Sequence, residues 1–281
     1  MQPGNDLADA WMRLYAFLSV FAVMAVAELL LPMRKLTASK SARWTTNLSI
    51  VVIGGLVIRA MAAFVVPLAA VAVAVAAERN GWGLLNQVAW PGWLEALLAV
   101  VALDFAIWFQ HLVAHKIPLL WRLHQMHHAD VDIDVTTAIR FHPIEIALSM
   151  LWKIACVLAL GASPEAVLVF EIVLNGLAMF NHANVALPPA LDSVLRLAIV
   201  TPDMHRVHHS VTRAEHDSNY GFNLSIWDRA FGTYTAQPEH GHLGMTIGLP
   251  QYQSEAPTRL WWSLLLPFRR SGEGGHRISD K

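Results

Sequence analysis

The chain has 281 residues, 55% of them hydrophobic and only 15% charged, with a formal net charge of −1 and a mean hydropathy of +0.43. Soluble domains carry roughly 25% charged residues, so a purely water-soluble globular protein is excluded. With no basic surplus to neutralise phosphates, nucleic acid is excluded as a partner.

Residues 11–32 hold about twenty mostly apolar positions, enough to cross ~30 Å of hydrocarbon, and read as a first transmembrane helix. Asp6 and Asp9 stand before it, where a cleavable signal would carry basic residues. Arg34, Lys35, Lys40 and Arg43 follow in one short loop. The positive-inside rule assigns that loop to the cytoplasm and the N-terminus to the outside. Residues 46–77 read as the second span, with Gly54 and Gly55 offering a close helix contact or a bend. Trp82, Trp90 and Trp93 mark an interfacial connection, and 93–110 reads as a third span that returns the chain to the cytoplasmic side. Residues 144–180 form two apolar runs about a Gly-Ala-Ser turn, a membrane hairpin that leaves the parity unchanged whether or not it crosses fully. Lys153 and Glu171 lie equally far from Ala162 and are predicted to pair, because a lone charge at that depth is costly. Residues 257–270 are too short to span and carry a Trp pair and basic flanks, the pattern of an interfacial helix. Residues 271–281 read as a disordered tail. The fold class is therefore all-α: one integral membrane domain over 1–281 with four or five transmembrane helices, hairpin included. Residues 111–142 and 183–240 form a cytoplasmic, histidine-rich catalytic cap.

Histidine is the anomaly of the composition, with fourteen copies. Three groups stand out: His111 and His115; His124, His127 and His128; and His205, His208 and His209. On a helix, positions i, i+3 and i+4 lie within a turn of one another, so each group is expected to present its imidazoles in one direction. Pro118 suits the first position of a helix carrying the second group, and Thr201-Pro202-Asp203 reads as a cap and first turn ahead of the third. Crowded imidazolium ions would repel, whereas neutral imidazoles converging on a cation are stabilised. Eight nitrogen ligands exceed the four of a tetrahedral site, so two ions are the economical reading. Imidazole alone does not select the element. The one cysteine, Cys156, lies in an apolar run and supplies neither a disulfide framework nor an activated thiol.

These motifs, HxxxH, HxxHH and HxxHH in that order after several spans, resemble the fatty acid hydroxylase and sterol desaturase superfamily of membrane-bound non-haem di-iron enzymes. The resemblance covers roughly residues 43 to 235. It includes TTAIRFHPIE (136 to 145), FNHANVALP (180 to 188) and TPDMHRVHHS followed by DSNYGFNLSIWDRAFGTY, which resemble the bacterial sterol desaturase-like branch. It implies two Fe ions, O2 as co-substrate and hydroxylation or desaturation of a lipid substrate. It also implies an external electron donor of the cytochrome b5-like or ferredoxin-like kind. The eight histidines above would be metal ligands, and His182 a ninth, since the fatty acid hydroxylases place a ligand on the segment before the last motif. Otherwise His182 is a helix-end histidine bonded to Asn184. His142 reads as supporting the site or gating substrate, with packing as its rival, and Arg140 as holding a lipid headgroup or anchoring a phosphate.

Two other functions fit parts of the pattern. A dimetal lipid hydrolase would use a metal-activated water, although such sites usually include bridging carboxylates. A non-enzymatic membrane metal or haem carrier would place its ligands near the midplane, whereas these lie at span ends. Asp104 is expected to neutralise Arg59 or to orient a site residue. Asp130, Asp132 and Asp134 are expected either to bridge metals and accept ligand N–H groups or to form a solvated acidic loop. His216, His240, His242 and His276 match no motif and read as surface. The alanine-rich spans point to a bacterial inner membrane, or to the ER membrane in a eukaryote.

Overall fold

A computed structural model describes residues 3–64 and 70–269 of the chain. Its long helices are α1 (Pro3–Leu30), α2 (Lys40–Phe64), α4 (Gly92–Lys116), α6 (Pro143–Leu160) and α7 (Pro164–His182), with a shorter α3 (Ala70–Asn80). The five long ones are long and apolar enough to cross a membrane, and no β-strand beyond isolated bridges occurs among the described residues. The chain is thus an all-α, multi-pass membrane protein. α1 and α4 pack on α7, α2 on α6, and α3 on both helices of the hairpin. Leu14, Leu18, Val23 and Leu29 on α1 face outward, the side such a bundle turns to lipid.

The stretch read as one span over 46–77 is instead two helices. α2 starts six residues earlier, at Lys40, and α3 is a separate piece of 11 residues, about 16 Å long at 1.5 Å per residue and too short to cross. The residues joining them lie outside those described. The reason α2 starts early is Arg43, whose guanidinium is enclosed by Asp130 at 2.6 and 2.8 Å and by Asp134 at 2.5 Å.

The hairpin forms as expected. α6 stops at Gly161, in the left-handed region with φ 68°, and α7 restarts at Pro164 after Ser163 caps it by accepting from the Ala166 N–H. The glycine is needed twice over, because a Cβ there would stand 2.4 Å from the Trp82 carbonyl oxygen of the connecting segment. Lys153 and Glu171 do pair across the hairpin, and Arg13 of α1 joins them at 2.9 Å. The terminal run is only partly surface. Trp261 and Phe268 are exposed, but the helix Leu260–Leu265 docks inward through Ser263, which is buried against Arg140. The tail 271–281, with His276, lies outside the described residues.

The region beyond the bundle includes α5 (Pro118–His128), α8 (Pro189–Leu195), α9 (Pro202–His208) and a turn at Arg213–His216. α5 begins on Pro118 directly after α4, and α9 on Pro202 with the Thr201 hydroxyl accepting from the Met204 N–H, as the caps predict. Thr201 in turn donates to Asp192 of α8 at 2.5 Å.

Candidate metal centre

Nine histidines come together in two groups. His111 and His115 from the last turns of α4, His124 and His128 from α5, and His208 from α9 form the first. His127 of α5, His182 of α7, and His205 and His209 at α9 form the second. Within each group one nitrogen per ring lies within 4.8 Å of all the others, and every ring is buried. The expectation that each HxxHH motif points one way is therefore corrected. The i, i+4 pair and the i+3 or i+1 neighbour diverge by about 60–100° around a helix of 3.6 residues per turn. α5 thus gives His124 and His128 to one group and His127 to the other, while α9 gives His205 and His209 to one and His208 to the other.

The ring tautomers test whether these residues suit a cation. His111 Nδ1 donates to the Tyr220 carbonyl and His208 Nδ1 to the Ser218 carbonyl, both at 2.6 Å. Each ring therefore keeps a bare lone pair on Nε2, yet the two Nε2 atoms stand 3.1 Å apart. His124 points Nδ1 at Glu145 Oε1, 2.6 Å away, with its Nε2 3.1 Å from that of His111. In the second group His182 Nδ1 donates to the Ala178 carbonyl, which leaves its own Nε2 bare, 3.2 Å from that of His127 and 3.0 Å from that of His205. The facing lone pairs of His111, His124 and His208 cannot hydrogen-bond to each other. Ligands about 2.1 Å from one ion, by contrast, stand roughly 3.0–3.4 Å apart, so the donor set fits bound metal. Burial, then mutual repulsion, holds His127, His128, His205, His208 and His209 well below the ordinary imidazole pKa, which leaves them in the neutral, ligating form.

His216, expected at the surface, is buried against His115, His128 and His208, with ring centroids 4.9, 4.3 and 5.9 Å away. Neither of its nitrogens has a hydrogen-bond partner. Asp217 Oδ1 lies 3.7 Å from His115 Nδ1. His242, also expected at the surface, is mostly buried beside Arg206 and Asp203, while His240 is exposed. The two residues that no motif singled out are Glu145, one turn into α6, and Tyr220, whose ring packs against His111, His115 and His208. The only sequence signal for either was its place inside the RFHPIE and DSNYGF runs.

Several other expectations are overturned. Arg140 reaches no lipid-facing surface: its guanidinium donates to the Met126 and Pro257 carbonyls, to Asn47 and to Ser263, a clamp between α5, α2 and the terminal helix. His142 caps α6, accepting from the Ile144 N–H at Nδ1 with Nε2 3.2 Å from the Leu264 carbonyl. Asn184 does not touch His182; it exchanges hydrogen bonds with the Arg34 backbone. Asp104 pairs with the Trp227 indole and the Leu224 N–H instead of Arg59. Asp130 and Asp134 enclose Arg43, and Asp132 binds the Thr37 and Ala38 amides, so the three are neither metal bridges nor a solvated loop. Burial would raise the Asp130 carboxyl, but Arg43 overrides it and holds it at about 2.

The DSNYGF segment is pinned by Asp228, which accepts from Trp108, Thr233 and the amides of Tyr220 and Gly221. Gly221 fits only as glycine, since a Cβ would stand 2.9 Å from Val200 and 3.0 Å from that carboxylate. This geometry delivers the Tyr220 carbonyl to His111. A cavity of about 540 Å³ runs from His111 and His124 between α1, α2, α4, α6 and α7, lined mainly by apolar side chains such as Ile107, Phe141, Ala178 and Phe222. No histidine of the second group lines it.

Residues 96–233 match the fatty acid hydroxylase family. The chain is 29% identical over 249 residues to the ornithine lipid hydroxylase OlsE of Rhizobium tropici, covering 86% of this chain and 73% of that protein. It is 36% identical over 157 residues to human alkylglycerol monooxygenase, where the match spans 55% of this chain but only 33% of the relative. It is 27% identical over 149 residues to a cholesterol 25-hydroxylase-like protein of Danio rerio, with 52% and 56% covered. No solved structure matches the chain.

Proposed function

The chain belongs to the fatty acid hydroxylase and sterol desaturase superfamily, and on that premise we propose that it is a di-iron, O2-dependent oxidoreductase that hydroxylates or desaturates a membrane lipid. Its named relatives are lipid hydroxylases and monooxygenases, so lipid oxidation is the activity they share. The single observation that carries the reading is the pair of all-histidine groups, with bare Nε2 atoms facing one another at the end of a cavity in the bundle. The nine ligands would be His111, His115, His124, His128 and His208 for one iron and His127, His182, His205 and His209 for the other. Iron held there supplies dioxygen activation toward an unactivated C–H bond, with electrons from an external cytochrome b5-like or ferredoxin-like donor.

The protein's own part is positioning and exclusion of water. The Tyr220 and Ser218 carbonyls and the Glu145 carboxylate fix the rings of His111, His208 and His124 with Nε2 inward. Phe222, Ala178 and Ile107 give the substrate a dry channel ending at the first group. That group is thus the one a lipid would meet, with the second enclosed behind it. The basic 34–43 segment supports a cytoplasmic centre and an outside N-terminus, in a bacterial inner membrane.

The test is an accurate-mass lipid profile of aerobically grown cells expressing wild type or His208→Ala. A lipid found only with wild type is expected, heavier by one oxygen for hydroxylation or lighter by two hydrogens for desaturation. Identical profiles, from a protein shown to carry iron and supplied with a donor, would remove the proposal.

A further inference from the structure

Gly54 and Gly55 occupy the middle of α2, where glycine is the poorest helix former after proline. Their expected use was a close helix contact or a bend, and the structure offers no such contact. A Cβ built on either would meet no atom within 4 Å. No neighbour therefore requires glycine there. Both residues line the cavity that ends at His111 and His124. Gly55 is at the same time exposed, and so are Val51 and Arg59, which line the same cavity four residues to either side of it. Along this face of α2 the cavity therefore reaches the surface, and at Gly54–Gly55 no side chain narrows the opening beside the helix. Four residues to either side of Gly54, Ile50 and Ile58 put side chains into the lining.

From this, and resting on the lipid-oxidising reading above, we infer that the Gly54–Gly55 step is the lateral portal through which a single hydrocarbon chain of a bilayer lipid passes from the membrane to the first histidine group. The glycines are kept for the space they leave, at the expense of helix propensity. The inference has a distinctive sign. Filling the step should improve or preserve the helix while shutting the lipid out, whereas a packing glycine would lose both together.

The experiment uses the full-length, metal-loaded protein in phosphatidylcholine nanodiscs in which one acyl chain ends in a diazirine. After photolysis, cross-linked residues are mapped by mass spectrometry. Wild type is expected to cross-link at Phe222 and Ala178, deep in the cavity. Gly55→Leu should lower those deep cross-links at least tenfold, with Gly55→Ala and Gly55→Val graded between, and with thermal midpoint and metal content at or above the wild-type values. Leu56→Phe, which changes bulk one residue away but outside the lining, should leave them unchanged.

Deep cross-links that persist within twofold in Gly55→Leu would overturn the portal. So would their absence from wild type, or an equal loss in Leu56→Phe. Should Gly55→Leu fail to fold, unchanged deep cross-links in Gly55→Val would overturn it as well. Deep cross-links that Gly55→Leu closes, in a protein that oxidises no lipid, would support the portal while refuting the proposed reaction.

Discussion

At the scale of single residues, what distinguishes this centre is that burial holds His127, His128, His205, His208 and His209 neutral, and that four rings, His111, His124, His182 and His208, are aimed by an acceptor on Nδ1. The consequence is a pH dependence with a definite sign. Burial takes His216 down to about 4, the neighbouring Asp217 notwithstanding, and His127, His128, His205, His208 and His209 are displaced the same way. An unfolded histidine binds its proton near pH 6.5, so below that pH the unfolded chain takes up protons that the folded one refuses. The metal-free protein should keep its full stability above pH 6.5. His216 alone should cost about 1.4 kcal/mol per pH unit as the pH falls from 6.5 toward 4, with the other displaced rings acting in the same direction. Asp130, held at about 2 by Arg43, works over a different window: its contribution is present above pH 4 and is lost only between about 4 and 2. Thermal midpoints of the metal-free protein in detergent between pH 7.5 and 4 would show this, and His216→Gln should make the slope shallower by one proton. A profile flat down to pH 4 would contradict the histidine account.

At the scale of elements, charge at membrane depth ties three helices together. Glu171 of α7 accepts from Lys153 of α6 and from Arg13 of α1, so the three partners are not equivalent. Removing Lys153 as Lys153→Met leaves the Arg13–Glu171 pair, and should cost about 1 kcal/mol, allowing for the partial exposure of Arg13. Glu171→Gln leaves two cations facing each other without a counter-charge and should cost about 3–5 kcal/mol. Unfolding in detergent would order the two, and equal losses would refute the asymmetry. The Lys153–Glu171 pair was legible in the sequence because a hairpin is symmetric about its turn, so spacing from Ala162 suffices. The spans other than 46–77, the helix starts at Pro118 and Pro202 and the histidine motifs were legible for the same kind of local reason. Arg43, Arg140 and Asp104 were not, because their partners lie 87, 117 and 123 residues away among the bonds that hold them. Only the packed bundle chooses among such distant partners. The division of each HxxHH motif escaped for a third reason: periodicity says which rings share a helix face, but two centres flanking that face share them out.

At the scale of the whole molecule, the two histidine groups bring together elements spread from His111 to His209 along the chain. The first joins α4, α5 and α9, the second α5, α7 and α9, and α5 and α9 serve both. In the first group the Nε2 lone pairs of His111, His124 and His208 face one another at 3.1 Å, a geometry that a shared cation would stabilise. Metal binding should therefore be a large share of the stability. At a thousandfold excess over its Kd, each ion that binds only the folded state adds about 4 kcal/mol, equivalent to about 10 °C in midpoint for a chain of this size. Because α5 and α9 are common to both groups, the two ions of the proposed centre should not be independent. His182→Ala removes a ligand from the second group alone, yet it frees α7 from α5 and α9, loosening the helices on which His124, His128 and His208 sit. Metal analysis of that variant should show both ions weakened, with fewer than one tightly held per chain, and a chelator should strip the wild type in one step that coincides with the fall in midpoint. A His182→Ala protein that keeps one ion at wild-type affinity, or a midpoint that chelation leaves unmoved, would show that the bundle sets the centre without help from the metal.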